Sequence, residues 1–261
     1  MCRLFAIKAN KQVDIEFSVI KGSKSFRTFG NKNPDGWGMG WYKEGKPRVK
    51  KEPLCIVKSG EIEPVATSAR SEIFISHIRR ATTGERSLVN CHPFQSGRWL
   101  FAHNGCVDRE DLMSRLDGQY RASIQGQTDS EVYFQWLLQN IEQEESVQKG
   151  LAAALKQVRV SSFTGLNFIL TDGASVYAYR DASKDAQYYS LFYLCRNPQT
   201  PGPLEFRSKE VDVLFQSKSL QEEQAILICS EKLSDEDWKE IPLGSLLSIS
   251  KDMIPRLMEI K

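Results

Sequence analysis

The chain has 261 residues, of which 41% are hydrophobic and 26% are charged, values typical of globular domains. This composition argues against intrinsic disorder, collagen-like repeats and coiled coils. The 35 basic and 33 acidic residues leave a formal net charge of +2, so neither nucleic acid nor a membrane surface is an expected partner.

The first part of the chain predicts mainly strands. Residues 3–9 have the apolar content of a short buried strand, which places Cys2 at the edge of that strand. Asn104-Gly105 is a strong turn signal directly after another strand. The other predicted elements are a hairpin over 35–49, a helix over 61–69, a strand over 72–78 and a strand over 98–102.

The pattern changes at Thr128, where apolar residues recur at helical spacing over 132–141 and 147–158. Asp129 or Ser130 is the expected N-cap of the first helix. Predicted strands follow over 166–170 and 175–179 as a hairpin, then near 187–195, 211–216 and 224–229. This order predicts one α+β domain over residues 1–261, with two packed, mostly antiparallel sheets.

Targeting signals and metal motifs are both missing from the sequence. No segment approaches the roughly 20 apolar residues of a membrane span. The first eight residues lack an apolar signal region, so we expect a cytoplasmic location. Six scattered cysteines and three histidines show no ligand spacing. We therefore expect no metal and no cofactor.

Cys2 is the first candidate for chemistry. If Met1 is removed, the thiol and a free α-amino group belong to one residue, and the amine can accept the thiol proton without a histidine. The alternative is a small residue at a frayed terminus.

Three further segments carry candidate groups. Arg79 leaves a strand and could clamp a carboxylate through two parallel hydrogen bonds, although an exposed salt bridge is the more common role. The Asn104 amide and the Gly105 N–H could converge on an oxyanion, or simply form a hairpin turn. Asp129 could pair with a substrate ammonium, or cap the helix that it begins.

Two other groupings of reactive side chains are not expected to form a catalytic or metal site. Cys91 and His92 are neighbours in sequence, so in an extended segment their side chains point to opposite faces. His77, His92 and His103 lie in separate segments without acidic ligands, and each is expected to be a hydrogen-bonded structural histidine.

Taken together, the motifs resemble the class II, N-terminal-nucleophile glutamine amidotransferases, and most closely their stand-alone YafJ-like branch. They occur in the family's order and cover nearly the whole chain. The matching segments are Met1-Cys2, Asp35-Gly36-Trp37-Gly38, His77-Ile78-Arg79, His92-Pro93-Phe94, Ala102-His103-Asn104-Gly105 and Thr128-Asp129-Ser130-Glu131.

The resemblance implies a four-layer αββα sandwich and a role for each candidate. Cys2 would be the nucleophile, and Asn104 with Gly105 the oxyanion hole. Arg79 would bind the α-carboxylate of glutamine and Asp129 its α-ammonium. Two further residues are expected at the pocket: Thr82 in its wall, and Trp37 under the substrate unless it is a core aromatic.

Two positions depart from the family pattern. Arg80 replaces an aromatic residue, which leaves open which of the two arginines binds the carboxylate, and Ala6 replaces a glycine.

Three functions follow as hypotheses. The first is hydrolysis of glutamine to glutamate and ammonia, with a possible separate subunit that accepts the ammonia. The second keeps the nucleophile but acts on other γ-glutamyl amides or peptides. The third is a non-catalytic subunit that retains Met1.

Overall fold

The computed structural model describes residues 2–22, 24–197 and 224–261, and in them two antiparallel sheets pack face to face. The strands of these ranges are β1 (Arg3–Val13), β2 (Gly36–Lys43), β3 (Lys46–Glu52), β4 (Ser71–Arg79), β5 (Phe94–Ser96), β6 (Trp99–Asn104), β7 (Asn167–Thr171), β8 (Val176–Arg180), β9 (Phe192–Arg196), β10 (Ala225–Cys229), β11 (Lys239–Glu240), β12 (Ser245–Ile249) and β13 (Pro255–Glu259). The first sheet has the order β11-β9-β10-β1-β4-β2-β3, and the second has the order β13-β12-β8-β7-β6-β5.

Side-chain alternation along the strands divides the core into three parts. On β1, Leu4 and Ala6 point into the core between the sheets, whereas Phe5 and Ile7 point to the outer face of the first sheet. β6 alternates in the same way, because Ala102 faces the core between the sheets and Phe101 faces the helices outside. A sheet with apolar groups on both faces requires cover on both, and helical segments supply it.

The α-helices of the described ranges are α1 (Ile62–Ser68), α2 (Arg109–Arg115), α3 (Gly118–Ala122), α4 (Asp129–Gln143) and α5 (Val147–Val158). Helices α4 and α5 pack on the second sheet, where the rings of Phe101 and Phe134 stack 5.0 Å apart. The outer face of the first sheet is covered by α1 together with a π-helix over Phe17–Lys21 and a 3₁₀-helix over Phe26–Lys32. The predicted α+β four-layer sandwich is confirmed.

Two local predictions were wrong. The strand expected near 187–195 begins only at Phe192, because the chain turns at Asp185, whose carbonyl accepts from the N–H of Tyr188. The N-cap of α4 is Thr128, which has an extended backbone and a side chain that accepts from the N–H of Glu131. Asp129 is instead the first helical residue.

The predicted strand over 211–216 lies outside the described residues. Among the helices that the structure describes, none has the length and apolar character needed to cross a membrane.

Candidate active site

The candidate residues meet at one end of the sandwich. Cys2 precedes β1, Arg79 ends β4 and Asn104 ends β6. Strands β1 and β4 are paired, and both pack against β6 across the space between the sheets. The period-2 alternation puts Arg79 on the same side of its strand as Ile75, and Asn104 on the same side as Ala102, so both side chains point between the sheets.

The thiol of Cys2 is half-buried and lies against the backbone of Arg80. Its sulfur accepts a hydrogen bond from the Arg80 N–H at 3.2 Å, and the S–H points to the Arg80 carbonyl at 3.4 Å. Burial raises the pKa of the Cys2 thiol, while the Arg80 N–H and the charge of Arg79 act in the opposite direction. The thiol is therefore protonated at neutral pH and needs a base before it can attack.

Asn104 presents a buried hydrogen-bond donor. The residue is 2% exposed, and its Nδ2 has no hydrogen-bond partner among the described residues. A buried donor left without a partner costs about 1–3 kcal/mol. A catalytic role is one of the recognised explanations for such a group.

Gly105 can only be glycine at this position. Its φ is +148°, and a Cβ atom would come within 1.8 Å of the Gly165 carbonyl oxygen. The same carbonyl oxygen lies 3.1 Å from Nε2 of His103, whose Nδ1 lies 2.9 Å from the Ser130 hydroxyl. The Asn104-Gly105 turn is thereby held in place by Gly165 and by the first turn of α4.

Asp129 lies at the N-terminal end of α4 and is 4% exposed. One carboxylate oxygen accepts from the Val107 N–H at 2.8 Å, and the other accepts from the Thr83 hydroxyl at 3.1 Å. A negative charge at this end of a helix is favourable. Asp129 is therefore a fixed, buried anion that is hydrogen-bonded to Thr83.

Arg79 has a role that the sequence analysis missed. Its guanidinium, 3% exposed, donates to three backbone carbonyls, those of Thr83 (2.7 Å), Gly84 (3.1 Å) and Glu85 (3.0 Å). Residues 80–87, here named the arginine loop, are thus folded around the side chain. These bonds occupy three of the five guanidinium N–H groups, which leaves two for another acceptor.

Asp35, which is not part of the arginine loop, also holds this loop in place. It accepts from the Ala81 N–H at 2.9 Å and forms an ion pair with Arg86. The Arg80 side chain itself is exposed to solvent.

Thr82 and Trp37 lie on different sides of the first sheet. The Thr82 hydroxyl accepts from the Cys106 thiol at 3.5 Å, at the same end of the sandwich as Cys2. Trp37 is fully buried in the core on the outer face of the first sheet, where its Nε1 donates to Glu52 at 3.0 Å. The structure therefore does not bring Trp37 to the other candidates.

All three histidines are buried. The rings of His77 and His92 lie 4.1 Å apart and are buried. Burial lowers the pKa of His77 to about 3 and that of His92 well below its usual value, so both are neutral. His103 is hydrogen-bonded as expected, but the same expectation is wrong for His77 and His92, whose ring nitrogens have no hydrogen-bond partner within the described ranges.

Residues 2–22, 24–197 and 224–261 contain no group of three or more His, Cys, Asp or Glu side chains that could hold a metal ion.

Known proteins show the same arrangement of elements. The structure of a glutamine aminotransferase class-II domain protein from Silicibacter pomeroyi superposes with a TM-score of 0.65 at 21% identity, over 99% of each chain. The putative glutamine amidotransferase YafJ of Escherichia coli is 30% identical over an alignment of 264 positions that covers 94% of this chain and 95% of that protein.

A shorter similarity connects the chain to a named hydrolase. The gamma-glutamyl-hercynylcysteine sulfoxide hydrolase of Mycobacterium tuberculosis is 38% identical over 81 residues, 31% of this chain and 35% of that protein. The family model for class-II glutamine amidotransferases matches residues 1–259. The chain belongs to the class II glutamine amidotransferases.

Proposed function

We propose that this chain hydrolyses the side-chain amide of glutamine, with Cys2 as an N-terminal nucleophile exposed by removal of Met1. The observation that carries the proposal is the buried, unpartnered Nδ2 of Asn104 at the end of the sandwich where the Cys2 thiol lies. A donor left free in this place is what a developing oxyanion requires.

The proposed recognition of glutamine uses its two charges. Arg79 binds the α-carboxylate through an N–H group that its loop carbonyls leave unused. Asp129 binds the α-ammonium through the lone pairs that remain on its carboxylate. Thr82, in the arginine loop, lines the pocket between Cys2 and the oxyanion turn.

The proposed reaction follows from these positions. The free α-amine of Cys2 takes the thiol proton, and the thiolate attacks the amide carbon. Asn104 Nδ2 and the Gly105 N–H stabilise the resulting oxyanion. The protonated amine then gives its proton to the departing ammonia, and water hydrolyses the glutamyl thioester to glutamate. A separate subunit could accept the ammonia.

A second candidate is hydrolysis of other γ-glutamyl amides. The similarity to the mycobacterial gamma-glutamyl-hercynylcysteine sulfoxide hydrolase favours it. Both reactions share the same glutamyl recognition. Ammonia release from glutamine, compared with amine release from a γ-glutamyl alkylamide, distinguishes them.

The test of the nucleophile is intact-mass spectrometry with a diazoketone analogue of glutamine. We expect loss of Met1 and a single adduct, which is absent from Cys2→Ala and unchanged in Cys195→Ser, a control at an exposed cysteine. Retention of Met1 with no adduct would support instead the non-catalytic subunit.

A further inference from the structure

Two cysteines contact the same short segment of the arginine loop. The Cys2 sulfur is hydrogen-bonded to the backbone of Arg80, and the Cys106 thiol is bonded to the hydroxyl of Thr82. Both cysteines are free and half-buried, whereas Cys55, Cys91 and Cys229 are buried and Cys195 is exposed elsewhere. The function proposed above uses only one of the two thiols.

The position of Cys106 is fixed independently of Cys2. Its N–H donates to the Thr164 hydroxyl at 3.0 Å, and it directly follows Gly105, which lies against Gly165. Cys106 therefore comes from the second sheet and Cys2 from the first. Both sulfurs lie within hydrogen-bond distance of residues 80–82, so the two thiols approach the same short segment from opposite sheets.

We propose that Cys2 and Cys106 are a redox modification site, at which a hydroperoxide converts the two thiols into an intramolecular disulfide. The peroxide oxidises one sulfur to a sulfenic acid and is itself reduced to water or an alcohol. The second thiol attacks the sulfenic sulfur, the S–S bond forms, and water carries away the hydroxyl group and the thiol proton. Both sulfurs are oxidised, and the hydroperoxide is the only oxidant consumed.

The disulfide would have two consequences. It removes the sulfur that the proposed function needs as a nucleophile, and it joins the two sheets next to the oxyanion turn. A thiol reductant restores both cysteines, whereas a sulfinic or sulfonic acid would be irreversible under the same treatment.

The test treats the purified chain with hydrogen peroxide and maps its peptides without reduction. We expect one crosslinked peptide that joins Cys2 to Cys106, loss of both of these thiols to alkylation, and their complete return with dithiothreitol. The matched variants are Cys106→Ser, in which Cys2 should proceed to the sulfinic acid, and Cys195→Ser, which should behave as the unaltered chain. These readouts do not depend on the substrate, so they remain valid if the proposed function fails.

Two results would overturn the proposal. One is the absence of the crosslinked peptide, whether the thiols stay reduced or Cys2 is overoxidised as fast as in Cys106→Ser. The other is a crosslink that contains Cys195 in place of either partner. Since the peptide map is made on the unaltered chain, poor folding of a variant cannot produce either result.

Discussion

Acidification should destabilise this fold through its buried histidines, and His77 allows the magnitude to be worked out. Its pKa is about 3 in the folded chain and about 6.5 when it is unfolded and solvated. The folded state therefore keeps His77 neutral where the unfolded state binds a proton. The stability is fully present above pH 6.5 and is lost as the pH falls from 6.5 towards 3.

At pH 5 the loss from His77 alone is about 2 kcal/mol, since each pH unit below 6.5 costs about 1.4 kcal/mol. His92 and His103 act in the same direction, because burial also lowers their pKa values. Globular domains are stable by only about 5–15 kcal/mol, so the effect is a large part of the total.

The assay is urea unfolding at pH 7 and pH 5, followed by tryptophan fluorescence. His77→Leu replaces the ring with an apolar side chain, so it should reduce the difference between the two free energies of unfolding by about 2 kcal/mol. Ser76→Ala is the matched control. Ser76 is next to His77 in β4, and its hydroxyl donates a buried hydrogen bond to the Gly38 carbonyl. The substitution removes that bond but no titrating group, so the difference between the free energies of unfolding at pH 7 and pH 5 should stay unchanged. If His77→Leu loses as much stability as the unaltered chain between pH 7 and pH 5, the assignment of a buried neutral His77 is wrong.

Three further substitutions test the site by glutamine hydrolysis. Gly105→Ala should lower kcat by about 10²–10³-fold, because a Cβ atom cannot fit beside the Gly165 carbonyl and the turn must move; activity close to the original would show that the turn carries no oxyanion donor. Asp129→Asn should raise KM about 10- to 100-fold, since it removes the anion but can keep an acceptor for Val107; an unchanged KM would exclude Asp129 as the ammonium partner. Arg79→Gln should raise KM and also expose the arginine loop to limited proteolysis, because three carbonyls lose their donor; a loop as resistant as before would contradict the contacts described above.

The sequence was sufficient to predict the parts of the fold that depend on local patterns. Short apolar, β-rich runs identified β1 and β4, and helical periodicity identified α4 and α5. It did not identify the β12–β13 hairpin, in which Pro255–Glu259 is a largely exposed edge strand with little apolar patterning. Edge strands that bury few side chains leave a weak periodic signal.

The candidate site, like the fold, was predicted from the sequence only in part. Motif order predicted which residues to examine, and the structure places Cys2, Arg79, Asn104 and Asp129 at one end of the sandwich. The bonds from Arg79 to three carbonyls could not be predicted, because they depend on how the arginine loop closes in three dimensions. Alternate residues of β2 point to opposite faces of the sheet, so the face on which Trp37 lies depends on the strand register. A shift of one residue exchanges the two faces.

The central position of β1 has a consequence for biosynthesis. The N-terminal end of this strand is joined to residues from the far end of the sequence: Ser230 donates its N–H to the Leu4 carbonyl and accepts the Leu4 N–H on its hydroxyl. During translation, Cys2 therefore emerges from the ribosome long before the strand that completes its surroundings. A chain truncated before β10 would lack the neighbouring strand that holds β1 in its sheet.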